Sequence, residues 1–419
     1  MLGLRHLPLK YRLPLIHGAL MVLGRLRCGQ WTPARTDNVL RPGDFVVSGF
    51  FNESSGIGRG GQLTAQAFRD AGYDIVAHDL RPCFRQYIRQ RAVLPGRGGV
   101  WFIHANAPEV LVAMLAHHPA QWADRYRIAY WAWETPKVPA NWMLAAEYLH
   151  EIWVPSRFVH DAVAAMFRLA RQDHLIVRIK IMPHPVPAAS VQTAHSREQN
   201  RLKFGLLADV TEVLSLFDTK SSAVRKNPWG VIDAWLGAFP QADATRRLTL
   251  KVSDLKGDRA TEHRLLGLLR DRSDIRLVEN RFDDRDMASF IAAFDILISL
   301  HRSEGFGLPL AEAMAAGVAV IATDWSGNTD FMTADNSWLV AAGLTPVSDP
   351  EGPYGGLEGD PDQVWADPDL DDAIRGLREL TSSAYLRQAL ADFARVSIKA
   401  IDVPWQQAAL LELPFNRYI

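Results

Sequence analysis

The sequence has little cysteine, no net charge excess and no long apolar run. Cys28 and Cys83 show no metal-ligand spacing and exclude a disulfide framework, and they fit a reducing compartment. The 46 Lys and Arg residues nearly equal the 47 Asp and Glu residues, so no overall positive charge exists to attract nucleic acid. A content of 48% hydrophobic and 22% charged residues is typical of a globular protein, and 419 residues predict two domains.

The N-terminal residues 1–27 form an apolar stretch with basic flanks. The apolar part is well short of the ~20 residues that a membrane-spanning helix needs, and no small residues mark a signal cleavage site. Two alternatives remain: a basic amphipathic segment on an anionic membrane surface, or a helix that packs on the domain. Packing is the favoured alternative.

Short apolar runs alternate with helix-like segments in both halves of the chain, which is typical of parallel sheets covered by helices. In the first half, strands are expected over residues 44–51, 73–77, 100–103, 127–131 and 151–154. In the second half, strands are expected over residues 202–207, 248–252, 275–278, 296–300 and 318–323.

This alternation predicts two successive α/β domains. We expect an N-terminal domain over 1–190, a linker over 191–200, a second domain over 201–395 and a C-terminal segment over 396–419. The linker follows a proline-rich stretch and is polar in composition. Residues 343–366 are rich in Gly, Pro and Asp, and are expected to form an irregular insertion.

The most specific pattern begins at Glu304, directly after an expected strand. Gly305 and Gly307 permit a tight turn, and Pro309 suits the first turn of a helix. A helix N-terminus has unpaired N–H groups and about half a positive charge, which favour a phosphate. Glu304 and Glu312 can each accept hydrogen bonds from adjacent hydroxyls. The segment therefore predicts a site for a sugar, a diphosphate and a ribose.

Residues 304–312 resemble the E-x7-E donor motif of the retaining glycosyltransferases of family 4, the glycosyl transferases of group 1, and the likeness continues through residues 318–328. The resemblance implies the α/β fold called GT-B, in which two Rossmann-like parallel-sheet domains face each other across a deep cleft. The first domain would bind the acceptor and the second the nucleotide sugar. The last ~20 residues would return to the first domain.

The resemblance also implies an activity. A hexosyl group would move, with retention and without a metal ion, from a nucleoside-diphosphate sugar to a saccharide or glycolipid acceptor. The process would belong to polysaccharide or glycoconjugate assembly in the cytoplasm, with peripheral contact at the inner face of the membrane as a further expectation. The nucleotide sugar is a substrate, so no cofactor is expected.

For the donor, the resemblance assigns the sugar hydroxyls to Glu304 and the ribose to Glu312. The N–H groups of Gly305, Phe306, Gly307 and Leu308 would face the sugar and diphosphate. Lys226 would neutralise the diphosphate as it leaves. The family pairs this lysine with an arginine five residues earlier, where this chain has Ser221, and Arg225 is the alternative cation.

In the first half, the pattern G-x-G-x-x-G over residues 56–61 is expected in a loop after the first strand. The resemblance places Gly56 and Gly58 against the donor phosphates. A nicotinamide-dependent dehydrogenase is an alternative, with Asp79 near the position of the ribose-binding acid. That alternative leaves Glu304 and Glu312 unexplained.

Three further residues are candidates in the first half. His104 follows the strand 100–103, and its likeness to the family's active-site histidine assigns it the orientation of sugar or acceptor. It joins Glu304 and Lys226 as the predicted catalytic residues. Trp133 and Glu134 are predicted to line the acceptor site, because aromatic faces pack against sugar rings; core packing explains the tryptophan equally well.

Two further alternatives are a metal-dependent transferase and a protein without catalytic activity. The pair Asp284 and Asp286 matches the D-x-D pattern of metal-dependent transferases, but a helix cap is the favoured explanation and no metal site is predicted. A non-catalytic saccharide-binding or assembly protein on the same fold is the second alternative, because Ser221 replaces the usual arginine.

Overall fold

The chain folds into two α/β units, and a computed structural model describes residues 9–53, 55–187, 194–270 and 272–419. Unit 1 is built from Tyr11–Pro185 and Ile401–Ile419, and unit 2 from Val186–Ala400. Of the linker predicted over 191–200, residues 191–193 lie outside the described residues. The remainder belongs to a helix, Ala194–Phe204.

Unit 1 contains a six-stranded sheet in which every pair of neighbours is parallel. Its strands are β1 (Phe45–Gly49), β2 (Ile75–Asp79), β3 (Val100–His104), β4 (Tyr126–Tyr130), β5 (Glu151–Val154) and β6 (Ile179–Ile181). Their spatial order is β2-β1-β3-β4-β5-β6, so the chain reverses its direction of travel between β1 and β3. The five strands predicted in the first half are confirmed, with shifts of one or two residues at most ends, and β6 was missed.

Helices cover both faces of this sheet, because successive strand residues point to opposite sides. Val46 and Trp101 pack in one buried cluster, and Phe45 and Phe102 in another. The helices that precede unit 2 are α1 (Leu9–Arg27), α2 (Gly56–Asp70), α3 (Cys83–Gln86), α4 (Ala107–Ala116), α5 (Met143–Ala146) and α6 (Arg157–Leu169).

The glycine-rich stretch 56–61 is the start of a helix, which corrects the prediction of a loop. Ser55 caps α2 by accepting a hydrogen bond from Gly58 N at 3.2 Å. A side chain at Gly58 would place its Cβ 2.4 Å from Glu53 O. Glycine is therefore required at position 58 because the helix passes very close to Glu53, and no unusual backbone conformation is involved.

Unit 2 has a second six-stranded parallel sheet and a two-stranded antiparallel hairpin. Its strands are β7 (Thr211–Asp218), β8 (Arg246–Ser253), β9 (Ile275–Val278), β10 (Ile296–Ser299), β11 (Ala319–Thr323), β12 (Trp338–Val340), β13 (Ala342–Pro346) and β14 (Val364–Pro368). The order in the sheet is β12-β11-β10-β7-β8-β9, so the strand order reverses between β7 and β10.

Helices surround this second sheet as well. They are α7 (Ala194–Phe204), α8 (Ala223–Lys226), α9 (Pro228–Ala238), α10 (Arg259–Leu269), α11 (Asp284–Ala292), α12 (Leu308–Ala316), α13 (Leu370–Ser382) and α14 (Ala384–Ile401).

Two predictions for unit 2 are wrong. Residues 202–207 are the end of α7 and the turn after it, because Arg197 and Arg201 on this helix form ion pairs with Asp295. The first strand is β7 instead, whose buried Glu212 is paired with Arg247 at 2.6 Å. Residues 343–366 are not wholly irregular, since β13 and β14 pair at the two ends of the insertion.

The N-terminal helix α1 packs on unit 1 through its second half. Leu20 and Gly24 are buried, and a Cβ at Gly24 would lie 2.8 Å from Leu144 Cδ2. Arg27 Nη1 donates to Tyr87 O at 3.0 Å. Among the described residues, no helix combines the length and the apolar character that crossing a bilayer requires.

The C-terminal residues complete the core of unit 1, and they include α15 (Gln407–Leu411). The Trp405 ring lies 5.5 Å from the Phe68 ring, and Trp405 Nε1 donates to Pro183 O at 2.6 Å. The Phe415 ring lies 5.5 Å from that of Phe45. Residues that are distant in sequence therefore stabilise one core.

This packing predicts a large effect of removing one ring. Trp405→Ala should lower the unfolding free energy of unit 1 by about 3–5 kcal/mol, because a buried aromatic side chain is lost and a cavity remains. Urea unfolding followed by circular dichroism measures this change. Tyr385→Ala, on the exposed surface of α14, is the control and should change stability by less than about 0.5 kcal/mol. A loss below about 1 kcal/mol for Trp405→Ala would contradict the packing.

Candidate functional site

The turn after β10 places a helix start at the edge of the sheet, as predicted. Gly307 precedes α12 with a φ of +91°, a conformation that favours glycine, and Pro309 lies in the first turn. The helix begins at Leu308. Since β10 and β7 are neighbours at the point where the strand order reverses, this helix start lies where open parallel sheets bind ligands.

The segment after β11 braces the turn that carries Glu304. Glu304 N donates to Ser326 Oγ at 2.8 Å, and Gly327 N donates to Glu304 O at 2.9 Å. A Cβ at Gly327 would lie only 2.1 Å from Gly305 O, so no other residue fits there without movement. Residues 318–328 thus hold the shape of the donor-motif turn.

Glu304 is paired with two cations from the loop after β7. Its carboxylate is hydrogen-bonded to Lys226 Nζ, and Arg225 Nη1 lies 3.2 Å from Glu304 Oε1. The side chains of Glu304 and Lys226 are only 12% and 15% exposed. The structure therefore brings together the two predicted catalytic residues of unit 2.

This charge cluster controls the ionisation of Glu304. Burial alone would raise the pKa of Glu304, but the charges of Lys226 and Arg225 outweigh it and lower this pKa from 4.5 to about 2. The group is thus a carboxylate at every physiological pH. It can accept hydrogen bonds from hydroxyl groups and cannot act as a general acid at neutral pH.

Arg225 is held inside the protein rather than at its surface. Its Nη1 donates to Ser303 O at 2.7 Å, and its Nη2 donates to Ser221 O at 3.2 Å. The hydroxyl of Ser221 donates to Asp218 O at 3.1 Å. The position of the family's usual arginine is therefore occupied by a short polar side chain, and the Arg225 guanidinium supplies a positive charge next to Glu304.

The loop after β7 depends on two residues in the left-handed backbone region, Ser222 (φ +71°) and Asn227 (φ +49°). The Ser222 hydroxyl donates to Asp349 Oδ1 at 2.9 Å, and Asn227 Nδ2 donates to Leu300 O at 2.9 Å. These contacts connect the loop to the insertion and to β10. The sequence analysis identified none of Ser222, Asn227 and Asp349. Short polar residues such as Ser222 and Asn227 are nevertheless a signal for turns of this kind.

His301 is a further residue that sequence reasoning missed. It is fully buried beside the turn, with Nδ1 3.1 Å from Ser299 Oγ and Nε2 3.0 Å from Asn328 Oδ1. Burial lowers its pKa, so the ring is neutral. It fixes the end of β10 against the segment that braces Glu304. Glu312 lies half-buried on α12, in the same motif.

In unit 1, His104 ends β3 and is enclosed by a polar and aromatic shell. Its ring stacks on Tyr130 at 4.5 Å, and its Nδ1 lies 3.2 Å from Thr64 Oγ1. The His184 ring is 5.7 Å away. Burial, followed by His184, lowers the pKa of His104 well below 6.5, so it is neutral at pH 7. This site too lies beside a reversal of strand order, between β1 and β3.

Of the glycines at the start of α2, Gly60 and Gly61 lie against this histidine, whereas Gly58 lies against Glu53 O. A Cβ at Gly60 would be 2.8 Å from His104 Nε2 and 2.9 Å from His184 Cε1. Nothing lies within 4 Å of a Cβ at Gly56, among the described atoms. Asp79, the acid of the dehydrogenase alternative, accepts hydrogen bonds from Asn52 Nδ2 and from Arg81 N.

Trp133 and Glu134 lie half-buried after β4. The Trp133 ring meets the Trp142 ring edge-on at 5.2 Å, and its Nε1 donates to Thr135 Oγ1 at 2.7 Å. These contacts show that Trp133 takes part in local packing. In unit 2, Asp283 accepts from Asp286 N at 2.7 Å, so Asp283 caps α11, and Asp284 and Asp286 of the D-x-D pattern lie in the first turn of that helix.

Comparison with known protein families gives a match within the second unit. Residues 232–351, which include Glu304 and Glu312, match the family model described as glycosyl transferases group 1. The match covers less than a third of the chain. No curated protein matches the chain by sequence.

Solved glycosyltransferase structures share the fold. A glycosyltransferase from Rickettsia africae has a TM-score of 0.60 at 14% identity and covers 90% of this chain and 98% of its own. HepE from Anabaena, solved with UDP-glucose, has a TM-score of 0.57 at 12% identity, with 88% and 100% covered. WaaG, a glycosyltransferase involved in lipopolysaccharide biosynthesis, has a TM-score of 0.53 at 17% identity, with 86% and 98% covered. The fold is GT-B, with two Rossmann-like units.

The ionisation of Glu304 predicts an acid-dependent loss of stability. A carboxyl whose pKa falls from 4.5 to about 2 on folding stabilises the protein above pH 4.5, and this contribution disappears as the pH falls toward 2. The loss from this group should reach about 3 kcal/mol. Glu304→Gln should therefore show a smaller fall in the unfolding free energy, measured with urea between pH 5 and pH 2.5. Equal falls in both proteins would contradict the ion pair.

The close contact at Gly60 predicts opposite effects of two similar substitutions. Gly60→Ala should destabilise unit 1 by about 1–3 kcal/mol, because its Cβ would displace the His104 ring. Gly56→Ala, in the same helix with open space around it, should leave stability unchanged or raise it by up to about 1 kcal/mol. Thermal unfolding of both variants tests this. A Gly60→Ala variant as stable as Gly56→Ala would refute the contact.

Proposed function

We propose that this protein transfers a hexosyl group from a nucleoside-diphosphate sugar to a saccharide or glycolipid acceptor, with retention of the anomeric configuration. The observation that carries the proposal is the cluster of Lys226, Arg225 and Glu304 beside the start of α12. Two cations and one carboxylate leave a net positive charge where backbone N–H groups also favour an anion. A diphosphate fits that charge.

The roles of the donor-site residues follow from their chemistry. Glu304, held as a carboxylate, accepts hydrogen bonds from the hydroxyls of the sugar, and Glu312 from those of the ribose. Lys226, Arg225 and the N–H groups of Gly305–Leu308 stabilise the charge that develops on the diphosphate as it leaves. The Arg225 guanidinium, which is hydrogen-bonded to Ser221 O, does this by its positive charge rather than by direct contact. It thereby takes the electrostatic role of the family's usual arginine.

The reaction proceeds in this proposal without an enzyme nucleophile. The bond from the anomeric carbon to the diphosphate oxygen breaks, and the acceptor oxygen forms its bond to the same face of that carbon. The acceptor's proton moves to the departing diphosphate. Lys226 supplies the positive charge that a metal ion supplies in other transferases, so no metal ion is required.

Unit 1 supplies the acceptor side of the proposal. His104 is neutral and fixed by Thr64 and Tyr130, which suits it to orient a hydroxyl group. Gly56 and Gly58, at the start of α2, are assigned to phosphate binding, and Trp133 and Glu134 to the acceptor site. The exposed apolar side chains of α1, including Leu15 and Leu26, would rest on the inner face of the membrane in the cytoplasm.

The similar structures support this choice of substrates. HepE was solved with UDP and glucose, and WaaG acts in lipopolysaccharide biosynthesis. A UDP-sugar is therefore the first donor to test, and polysaccharide or glycoconjugate assembly is the proposed process. A non-catalytic sugar-binding protein is the alternative that the serine at position 221 favours, and it predicts binding without turnover.

The test is a measurement of donor turnover. With a panel of nucleotide sugars, the wild type should release the nucleoside diphosphate, and Glu304→Ala and Lys226→Ala should each lower kcat/KM by about a hundredfold or more. Glu198→Ala, an exposed glutamate on α7, is the control and should retain activity. Near-full activity of Glu304→Ala would contradict the proposed site. Binding of a donor without any turnover would favour the alternative.

Metal independence has its own test. Asp284→Ala and Asp286→Ala should retain transferase activity, since these residues lie at the start of α11 and Asp286 is paired with Lys203. A chelator should leave the rate unchanged. Loss of activity by both variants, with recovery on addition of Mg²⁺ or Mn²⁺ after chelation, would show that the D-x-D stretch holds a metal ion.

A further inference from the structure

A second cluster of reactive side chains lies in unit 1, away from the residues assigned above. His78 near the end of β2, Cys83 at the start of α3 and His117 after α4 each offer one ligand atom, and these atoms all lie within 4.8 Å of one another. Cys83 and His117 are buried, and His78 is half-buried. The three residues are far apart or irregularly spaced in sequence, so only the fold reveals the cluster.

The hydrogen bonds of His117 aim a lone pair into this cluster. Its Nδ1 lies 2.7 Å from Ala113 O, and a carbonyl oxygen only accepts, so Nδ1 carries the proton. Nε2 is therefore the nitrogen with the lone pair. It is buried and has no hydrogen-bond partner among the described residues. An unpartnered buried acceptor is costly, and a ligand that accepts its lone pair removes that cost.

His78 is oriented in a similar way. Its Nδ1 lies 3.0 Å from Ser48 Oγ, which also accepts from Trp101 Nε1 at 2.9 Å. Metal-binding histidines usually have their second ring nitrogen fixed by such a hydrogen bond. Each imidazole ring is thus held in place by a hydrogen bond at its Nδ1.

The ligand set and its spacing suit a borderline or soft metal ion. Thiolate and imidazole are preferred by Zn²⁺ and Cu⁺. Around Zn²⁺, with bonds of about 2.3 Å to sulfur and about 2.0–2.1 Å to nitrogen, ligand atoms lie roughly 3.3–4 Å apart. In this structure the three ligand atoms lie within 4.8 Å of one another, so each must move inward by about 1 Å or less to bind the same ion. Three protein ligands leave the fourth position of a tetrahedral ion to a water molecule, and His78 is half-buried, so solvent reaches this side of the cluster.

Two groups of opposite charge act on this cluster. The Asp79 carboxylate interacts electrostatically with His78 and Cys83 and favours a bound cation. The Arg125 guanidinium, held by Gln121 O at 2.9 Å and Pro95 O at 2.6 Å, interacts with both histidines and opposes it. Burial raises the pKa of the Cys83 thiol to about 12, so metal binding must displace its proton into solvent.

We propose that Cys83 Sγ, His117 Nε2 and a ring nitrogen of His78 bind one thiolate-preferring metal ion, for which Zn²⁺ is the probe. The ion joins β2, α3 and the end of α4, and it stabilises unit 1 without taking part in sugar transfer. This proposal is independent of the proposed transferase activity.

The test is a pair of separate titrations, one with Zn²⁺ and one with Co²⁺. Each uses the full chain after a chelator has removed bound metal, with the thiols kept reduced. One equivalent of Zn²⁺ should bind and raise the temperature of unfolding. Co²⁺ should produce the absorption of a thiolate-bound, four-coordinate ion. Cys83→Ser should weaken Zn²⁺ binding by about a hundredfold and abolish the thiolate band.

Two further variants keep the result unambiguous. Cys28→Ser removes the other thiol, whose Sγ lies 3.0 Å from Arg25 O, and should leave binding unchanged. His117→Asn keeps a donor for Ala113 O and lacks the ligand nitrogen, so it should fold and lose affinity. No binding by the wild type, or equal affinity in the wild type and the folded Cys83→Ser and His117→Asn variants, would overturn the proposal.

Discussion

The donor site depends on one buried carboxylate whose charge must be matched. Glu304 lies in the turn before α12, and its partners Lys226 and Arg225 lie in the loop after β7. Removing either partner of a buried ion pair leaves an uncompensated charge, which is strongly destabilising. The pairing therefore joins two loops at the reversal of strand order, and it holds positive charge next to a helix N-terminus. The elements that we propose to bind the sugar and the diphosphate are thus positioned by the same interaction.

The insertion between β12 and α13 supports these two loops. Arg302 N donates to Arg225 O, and Ala366 N in β14 donates to Arg302 O, each at 2.7 Å. Asp349 accepts from Ser222, and the Tyr354 ring lies 5.8 Å from the Arg225 guanidinium. Because Arg225 is fixed by these contacts, a serine at position 221 is compatible with a cationic site.

Much of the fold and of the donor site could be predicted from local patterns. Strand β10, the two-glycine turn and α12 follow from residue types alone, since their geometry is local. The segment 202–207 was misassigned because the ion pairs of Arg197 and Arg201 with Asp295 connect distant residues. The stretch 56–61 was predicted as a loop because the contacts that require glycine form only in the folded chain. Gly58 packs against Glu53, and Gly60 packs against His104. His301 and Asp349 were missed for the same reason.

The central claim is that Lys226 and the start of α12 bind a diphosphate. Calorimetric titration with UDP and with uridine tests it most directly, because the two ligands differ only in the diphosphate. The account predicts that the wild type binds UDP at least about a hundredfold more tightly than uridine, and that Lys226→Ala narrows this ratio by about tenfold or more. An unchanged ratio in Lys226→Ala, or equal affinities of the wild type for both ligands, would contradict it.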